Sequence, residues 1–360
     1  MAYTTIDDPT AYFQTKIYSG TGSDLSLTFD GNSNMQPDKV WIKRRNDSGN
    51  HFLWDSVRGV NAALVPNDKD AEDTSGESTN YFDSFDSNGF TVGGGGYTNT
   101  NASSSTYVSW SWKAGTTGSG TTTGSGTGQS YNYSVNTTSG ISITTFTGNG
   151  TANHTIPHNL GVAPKYFVIK KRVGTGDATT RDWNVYHDGF GNTKRIIWNS
   201  NGAVTTSSEY WNDTSPTSSV VNLGTNDQVN GNNNTYIMYA FAEIKGYSKF
   251  GKYVGINSRA GSNKYPFIYT GFKPAFLMVK GDGSNQEFPM FDNKRETFND
   301  GTLKSVWVNL ANAESAGYDL DIVSNGFKIL NTGGTFNTNG SNYIYMAFAE
   351  NPFVTSKGIR

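Results

Sequence analysis

The 360-residue sequence contains no cysteine. This absence excludes disulfide bonds, thiolate zinc sites and cysteine nucleophiles. Secreted β-rich domains often carry disulfides, so the sequence indicates synthesis in a reducing cytoplasm. Stability must then come from packing and from assembly with other chains.

Charge is also scarce, since charged residues make up 16% of the chain and the net charge is −2. Lysine and arginine are scattered, which argues against nucleic acid as a partner. No apolar run approaches the roughly 18 residues of a membrane span, and the first residues lack the basic start and apolar stretch of a secretory signal. We therefore expect no membrane insertion and no secretory leader.

Aromatic residues and glycine are abundant instead, with 20 Tyr, 21 Phe, 8 Trp and 42 Gly. Aromatic and β-branched side chains suit the half-buried surface of a strand, while glycine and asparagine supply turns. The residues that favour long helices are sparse. This composition predicts an all-β protein.

Two strand-like motifs occur three times along the chain. The opening motif is a proline followed by an apolar run that ends in lysine, at Pro37–Lys43, Pro164–Lys170 and Pro274–Lys280. The closing motif is an alternating run that begins with tyrosine, at Tyr107–Trp112, Tyr236–Glu243 and Tyr343–Glu350. The two motifs are 70, 72 and 69 residues apart, proline to tyrosine. An aromatic residue two places before a glycine precedes each pair, at Tyr18, Phe146 and Tyr253.

Period-2 alternation places large side chains on one face of each closing strand. These are Val108, Trp110 and Trp112, then Ile237, Tyr239 and Phe241, then Ile344, Met346 and Phe348. We expect this face to fill a core. The opposite face carries serine or alanine, which suits a second layer packed close by.

The motifs predict three tandem antiparallel β-sandwich domains of jelly-roll-like type. Repeat 1 covers residues 16–114, repeat 2 covers 131–246 and repeat 3 covers 247–360. Residues 1–15 form an N-terminal arm. The Gly/Ser/Thr-rich stretch 115–130 has no apolar residue and is interpreted as a flexible linker.

Four segments of the sequence resemble virion structural proteins of marine tailed bacteriophages, those that infect cyanobacteria and related ocean bacteria. They are Met1–Asp7 (MAYTTID), Pro37–Lys43 (PDKVWIK), Phe85–Phe90 (FDSNGF) and Trp112–Gly115 (WKAG). The resemblance covers essentially the whole chain. It implies a virion component of structural or tail-fibre-like type, and it supplies no catalytic residues.

The residues of enzymatic sites are poorly represented. His154 and His158 flank a proline and are interpreted as exposed loop residues, not as metal ligands. The acidic run 68–73 lacks the glycine and glutamate of a calcium loop and is interpreted as solvated. Asp55, Asp188 and Asp292 follow the opening strands and are assigned to hydrogen bonding at strand ends. The sequence therefore predicts no catalytic, cofactor or metal site.

Two groups of residues are candidates for binding. Trp211, which the other repeats lack, is a candidate ligand residue for a host-surface glycan. Tyr3, Ile6, Tyr12 and Phe13 of the arm are candidate anchors to another virion protein, with the alternative that the arm folds back on its own chain.

These observations predict a non-enzymatic virion protein that is synthesised in the host cytoplasm. We expect a fibre-like or appendage component with possible host-surface contact, other virion proteins as partners and a homo-oligomeric state. The first alternative is a decoration protein on the capsid exterior, and the second is a carbohydrate-binding module.

Overall fold

The computed structural model describes residues 4–75, 81–94, 98–173, 181–257, 265–295, 303–330 and 334–352. These residues form six antiparallel sheets, three large and three of three strands each. The described helices are a 3₁₀ turn at Pro9–Ala11 and two four-residue α-helices. The prediction of an all-β protein is confirmed.

Repeat 1 begins earlier than predicted, with a strand that starts at Phe13. Its strands are β1 (Phe13–Ser19), β2 (Leu25–Thr28), β3 (Lys39–Arg44), β4 (Phe52–Asp55), β5 (Ser84–Asp86), β6 (Gly89–Val92) and β7 (Thr106–Trp112). They form a sheet of order β1-β7-β3-β4 and a second sheet of order β2-β6-β5. The first strand thus pairs with the last, and the second pairs with the last but one.

Repeat 2 has the largest sheet. Its elements, together with those of the stretch before it, are β8 (Thr116–Thr121), β9 (Thr123–Gly124), β10 (Ser130–Asn136), β11 (Ile141–Thr147), β12 (His154–Pro157), β13 (Tyr166–Val173), β14 (Trp183–His187), β15 (Lys194–Ile197), β16 (Thr205–Thr206), α1 (Ser208–Trp211), β17 (Val220–Leu223), α2 (Asp227–Asn230) and β18 (Thr235–Phe241). The sheet order is β16-β15-β14-β13-β18-β11-β10-β8, with β17-β12-β9 as the smaller sheet. The pattern of repeat 1 recurs in the centre of this sheet.

Repeat 3 follows without a linker. Its strands are β19 (Ser248–Val254), β20 (Phe267–Tyr269), β21 (Phe272–Gly281), β22 (Pro289–Asp292), β23 (Leu303–Trp307), β24 (Ser315–Tyr318), β25 (Leu320–Val323), β26 (Gly326–Ile329) and β27 (Asn342–Pro352). The sheet orders are β19-β27-β21-β22-β23-β24 and β20-β26-β25.

The predicted strand pair recurs with the same register in all three repeats. The residue four places after the proline lies opposite the residue three places after the tyrosine, in the pairs Trp41–Trp110, Val168–Tyr239 and Met278–Met346. The upstream aromatic stacks on the tyrosine each time, with centroids 5.1, 5.1 and 5.0 Å apart in Tyr18–Tyr107, Phe146–Tyr236 and Tyr253–Tyr343. The repeated pairing of opening and closing strands is confirmed.

The large faces of the three closing strands meet in one central core. Trp112, Phe241 and Phe348 occupy the same position, five residues after the tyrosine, and their rings touch in a triangle with centroid distances of 6.3, 5.7 and 5.8 Å. All three side chains are buried. The repeats are therefore arranged as a ring around a shared aromatic centre. In repeats 1 and 2 the opposite, small face lies over a separate core beneath the smaller sheet.

The predicted flexible linker is wrong, because residues 116–121 form strand β8 at the edge of the large sheet. Its glycines let two tyrosines of β10 lie across it. A Cβ atom at Gly118 would come within 2.6 Å of the Tyr133 side chain, and one at Gly120 within 2.8 Å of the Tyr131 ring. The absence of side chains here therefore favours a covered strand, not a mobile chain.

The N-terminal arm folds back on its own chain, as the alternative interpretation had it. Ile6 and Phe13 are buried in the central core, and the Phe13 ring stacks on Phe348 at 5.4 Å. Tyr12 is half-buried with its ring against Tyr247. Tyr3 lies outside the described residues. Ile6 and Phe13 thus make internal contacts and are not exposed as anchors.

Candidate functional site at the repeat junctions

The junction between repeats 1 and 2 contains a buried ion-pair network. The Arg58 guanidinium donates to Asp55 at 2.6 Å and to Glu72 at 2.9 Å. Arg172 of repeat 2 binds the same Glu72 carboxylate with two bonds of 2.7 Å. The Tyr239 hydroxyl of repeat 2 donates to Asp55 at 2.5 Å. Every charged group in this network has an opposite charge beside it, which burial requires.

The junction between repeats 3 and 1 repeats this network with equivalent residues. Arg295 donates to Asp292 at 2.6 Å and to Glu314 at 3.2 Å. Arg45 of repeat 1 binds Glu314 with two bonds of 3.0 Å. The indole of Trp110, at the position of Tyr239, donates to Asp292 at 3.0 Å.

Burial alone would raise the pKa of Glu72, but the hydrogen bonds from Arg172 and the charge of Arg58 outweigh it. The net effect is a pKa below the ordinary value for a glutamate. Glu72 therefore stays ionised and ties the two repeats together. It lies in the acidic run that the sequence led us to interpret as solvated, and that interpretation is wrong for this residue.

Between repeats 2 and 3, the described residues at the equivalent positions do not form this network. The strand register places His187 where the other repeats have Asp55 and Asp292, opposite the second residue after the proline. Its ring accepts a bond from the Gly189 amide at 2.9 Å and donates to the Tyr345 carbonyl at 3.1 Å. The side chain of Met346, which occupies the position of Tyr239 and Trp110, has no N–H or O–H to donate. A carboxylate at position 187 would have no such donor.

The remaining positions of the network are also replaced. The amide of Val204 donates to the Asp282 carbonyl at 3.1 Å, as Glu72 does to Arg172 and Glu314 to Arg45. Val204 is thus the equivalent of the two glutamates and Asp282 the equivalent of the two arginines. Phe190, three residues after His187, replaces Arg58 and Arg295. The backbone contact persists while all four charged partners are gone.

A cleft of about 430 Å³ lies at this third junction. It is lined by Phe190, Lys194, Val204, Lys252, Asp282 and Asn342, with Gly189 at its edge. The Asn342 side chain donates to the Asp282 carboxylate at 2.8 Å, and Lys194 donates to Thr206 at 2.6 Å. Lys252 is exposed. The cleft therefore combines an aromatic ring, two amines, a carboxylate and an amide.

A second cleft, of about 230 Å³, lies between the N-terminal segment and repeat 3. Its lining includes Gln14, Asp30 and Lys294, and the last two form an ion pair at 3.5 Å across it. Gln14 is held by bonds from its amide to the carbonyls of Thr10 and Ser33. Gln14, Asp30 and Lys294 thus already have partners within the chain.

The lysines that end the opening motifs are buried beside the junctions. Desolvation is the main cause that lowers the pKa of Lys43 and of Lys170 to about 7, and that of Lys280 to about 8. The Lys43 amine donates to the Ala311 carbonyl of repeat 3, and the Lys280 amine to the Gly202 carbonyl of repeat 2. Both acceptors are neutral carbonyl groups. Among the described residues, no carboxylate bonded to either amine offsets the desolvation, so burial disfavours the charged, protonated amine.

The interpretation of the histidines as exposed loop residues is wrong. His154 is buried and bonded to Asn230 at 2.8 Å and to Thr122 at 2.7 Å. Burial lowers the pKa of His158 to about 4. Among the residues that the structure describes, no group of three or more His, Asp or Glu is placed to hold a metal ion.

Trp211 is buried to 1% exposure in the core of repeat 2. Its ring meets Phe167 edge to face at 4.8 Å, and its N–H donates to the Lys194 carbonyl at 2.9 Å. This burial removes the exposed aromatic surface on which the ligand prediction depended. Asp188 is exposed and pairs with Lys165; the true equivalent of Asp55 and Asp292 is its neighbour His187. Asp55 and Asp292 do accept turn amides, as expected.

The geometry defines an all-β protein of three fused strand repeats with one divergent junction. A family model for a domain of unknown function, DUF7483, matches residues 8–352, and the chain belongs to that family. No curated protein and no solved structure matches the chain. Within the described residues, no helix is long and apolar enough to cross a membrane.

Proposed function

We propose that the chain is a non-enzymatic structural protein of a bacteriophage particle, built from three jelly-roll-like β-sandwich domains and carried on a fibre-like appendage. The observation that carries the proposal is the shared core. Three repeats close on the triangle of Trp112, Phe241 and Phe348, and two of their junctions are tied by the largely buried ion pairs Arg172–Glu72 and Arg45–Glu314. Packing of this kind holds the repeats together without disulfides. A protein that folds in the reducing host cytoplasm and is then exposed in the virion needs such packing.

The strand order supports the jelly-roll assignment. In repeat 1, β1 pairs with β7 in one sheet and β2 pairs with β6 in the other. This nested pairing of outer strands is typical of a jelly roll, an architecture common in viral structural proteins. The resemblance of the sequence to marine phage proteins points to the same class.

Exposed apolar side chains at the edges of repeat 3 support contact with another virion protein or with a second copy of the chain. Val254, Phe267 and Tyr269 are each 50–56% exposed, on the edge strands β19 and β20. Sheet edges that carry exposed apolar side chains are typical of surfaces that another chain covers.

The threefold arrangement of the repeats favours a second candidate, a decoration protein on the capsid exterior. Icosahedral shells present threefold positions, and a ring of three equivalent repeats matches the symmetry of such a position. The chain would then stabilise the shell without contacting the host.

Gold-labelled antibodies against the folded protein, applied to purified particles of a phage that encodes it, distinguish the two locations. Label on tail fibres is expected. Label over the head would support decoration instead, and particles whose protein content lacks the chain would overturn both. Deleting the arm is a poor test, because loss of Ile6 and Phe13 would damage the core.

A further inference from the structure

We propose that the cleft between repeats 2 and 3 is a binding site for a sugar that carries a carboxylate. This inference rests on the proposed function, since it assigns host-surface contact to a definite site. The cleft is lined by Phe190, Lys194, Val204, Lys252, Asp282 and Asn342.

The comparison with the other junctions is the first argument. Two junctions fill this space with the Arg–Glu–Arg–Asp network, and the third retains the backbone contact but replaces every charged partner. Loss of a stabilising network at one of three equivalent places leaves an open cleft of about 430 Å³, within the range of ligand pockets, roughly 300–1,000 Å³.

The chemistry of the lining is the second argument. Lys194 and Lys252 bring two positive charges against the single carboxylate of Asp282, which Asn342 already engages. The net excess of positive charge favours an anionic ligand. Phe190 offers an apolar ring surface, while Asp282 and Asn342 offer an acceptor and a donor for hydroxyl groups. A ring with hydroxyls and one carboxylate, as in a hexuronic acid, matches this set.

Titration of the full chain with glucuronate, glucose and inorganic phosphate, followed by calorimetry or ligand-observed NMR, tests the ligand class. Glucuronate should bind more tightly than either of the others. Lys252→Gln should weaken glucuronate binding about tenfold, the effect of losing roughly 1.4 kcal/mol. Lys249→Gln removes a lysine from the same strand but the opposite face, where it pairs with Glu243, and should leave binding unchanged.

A double variant designed to fill the cleft tests the site itself. Val204→Glu with Asp282→Arg introduces at this junction the pair that Glu72 and Arg172 form at the first, and should fill the cleft. We expect glucuronate binding to be lost while the thermal unfolding midpoint is retained or raised. Undiminished binding by this variant, or equal affinity for phosphate and glucuronate, would overturn the proposal. Particle labelling is an independent measurement, so failure of the binding site and failure of the virion assignment are distinguishable.

Discussion

The indole of Trp110 in repeat 1 donates to the carboxylate of Asp292 in repeat 3 across 182 residues of sequence, at 3.0 Å. The equivalent bond, from Tyr239 to Asp55, joins repeat 2 to repeat 1. A side chain that fills the central core thus also selects which repeat lies next to it. Packing and specificity at the junctions depend on the same residues.

Replacing the large core side chains should be strongly destabilising. Trp110→Ala, Phe241→Ala and Phe348→Ala each remove a ring that is at most 2% exposed, and each should cost about 3–5 kcal/mol of unfolding free energy. Trp110→Phe keeps most of the volume but removes the donor to Asp292, and should cost about 1–3 kcal/mol. Denaturant midpoints check both. Unchanged midpoints in the three alanine variants would mean that this face is not a core.

Neutralising Glu72 should destabilise the first junction. Glu72→Gln leaves Arg58 and Arg172 facing a neutral amide, and loss of one partner from a buried ion pair costs about 3–5 kcal/mol. Glu314→Gln should behave alike at the equivalent junction. A more solvent-accessible pair gives the control: Glu243→Gln disrupts the pair with Lys249, whose side chains are 30% and 36% exposed, and should cost at most about 1 kcal/mol. Equal losses in all three variants would contradict the assignment.

Glu72 should also make the stability of the protein fall at acidic pH. A carboxylate whose folded pKa is lowered contributes stability that is present above its unfolded pKa and lost as the pH falls through the folded pKa. The thermal unfolding midpoint should therefore decrease as the pH is lowered below about 4.3, the ordinary pKa of glutamate. The drop should be smaller in Glu72→Gln. An unaltered acid limb in that variant would exclude Glu72 as a contributor.

The buried lysines predict a change of stability at alkaline pH. Lys43 has a folded pKa of about 7, below that of the unfolded chain, so the unfolded state binds more protons between these values. Its contribution to stability should rise as the pH increases from about 7 towards 10. Lys43→Met keeps the length of the side chain without the amine and should flatten this rise. Thermal unfolding at pH 7, 8 and 9 measures the slope, and an identical slope in the variant would refute the assignment.

The glycines of β8 should be required for the edge hairpin. Gly118→Val would place a side chain against the Tyr133 ring and should detach β8 from β10. Ser119→Val, on the opposite face of the same strand, is the control and should leave the pairing intact. Hydrogen exchange over residues 116–121 reports the pairing. Protection retained in Gly118→Val would show that the tyrosine can move aside.

The sequence allowed prediction of the strand pairs but not of how the repeats meet. The register of Trp41 with Trp110 follows from the local alternation and the repeated spacing, which depend on neighbouring residues. The junction networks depend on residues from different repeats, such as Glu72 and Arg172, that no local pattern brings together. A signal was present nonetheless: Asp55 and Asp292 are each followed three residues later by arginine, and Arg45 and Arg172 each lie eight residues after the proline. Both features are missing at the junction of repeats 2 and 3, where Phe190 follows His187 by three residues and Asp282 is the eighth residue after Pro274. This difference in sequence marks the position of the cleft.

The burial of Trp211 and of the histidines could not have been predicted from residue type. A tryptophan beside polar residues has the composition of a binding surface, and only the packing of α1 against β17 shows that the ring points inward. The prediction of a flexible linker at residues 115–130 was wrong for a related reason. Its strand is specified by Tyr131 and Tyr133 of the next strand, not by its own side chains.

The stacking of Phe13 on Phe348 has a consequence for biosynthesis. These rings belong to the first and last described strands, so the aromatic centre is completed only after strand β27 has left the ribosome. Until then the large faces of the earlier closing strands have no third neighbour and remain open to solvent or chaperones. A chain interrupted before β27 would lack one side of the triangle. The fold thus delays completion of its core until β27 has been synthesised, and products terminated before that strand would be left for degradation.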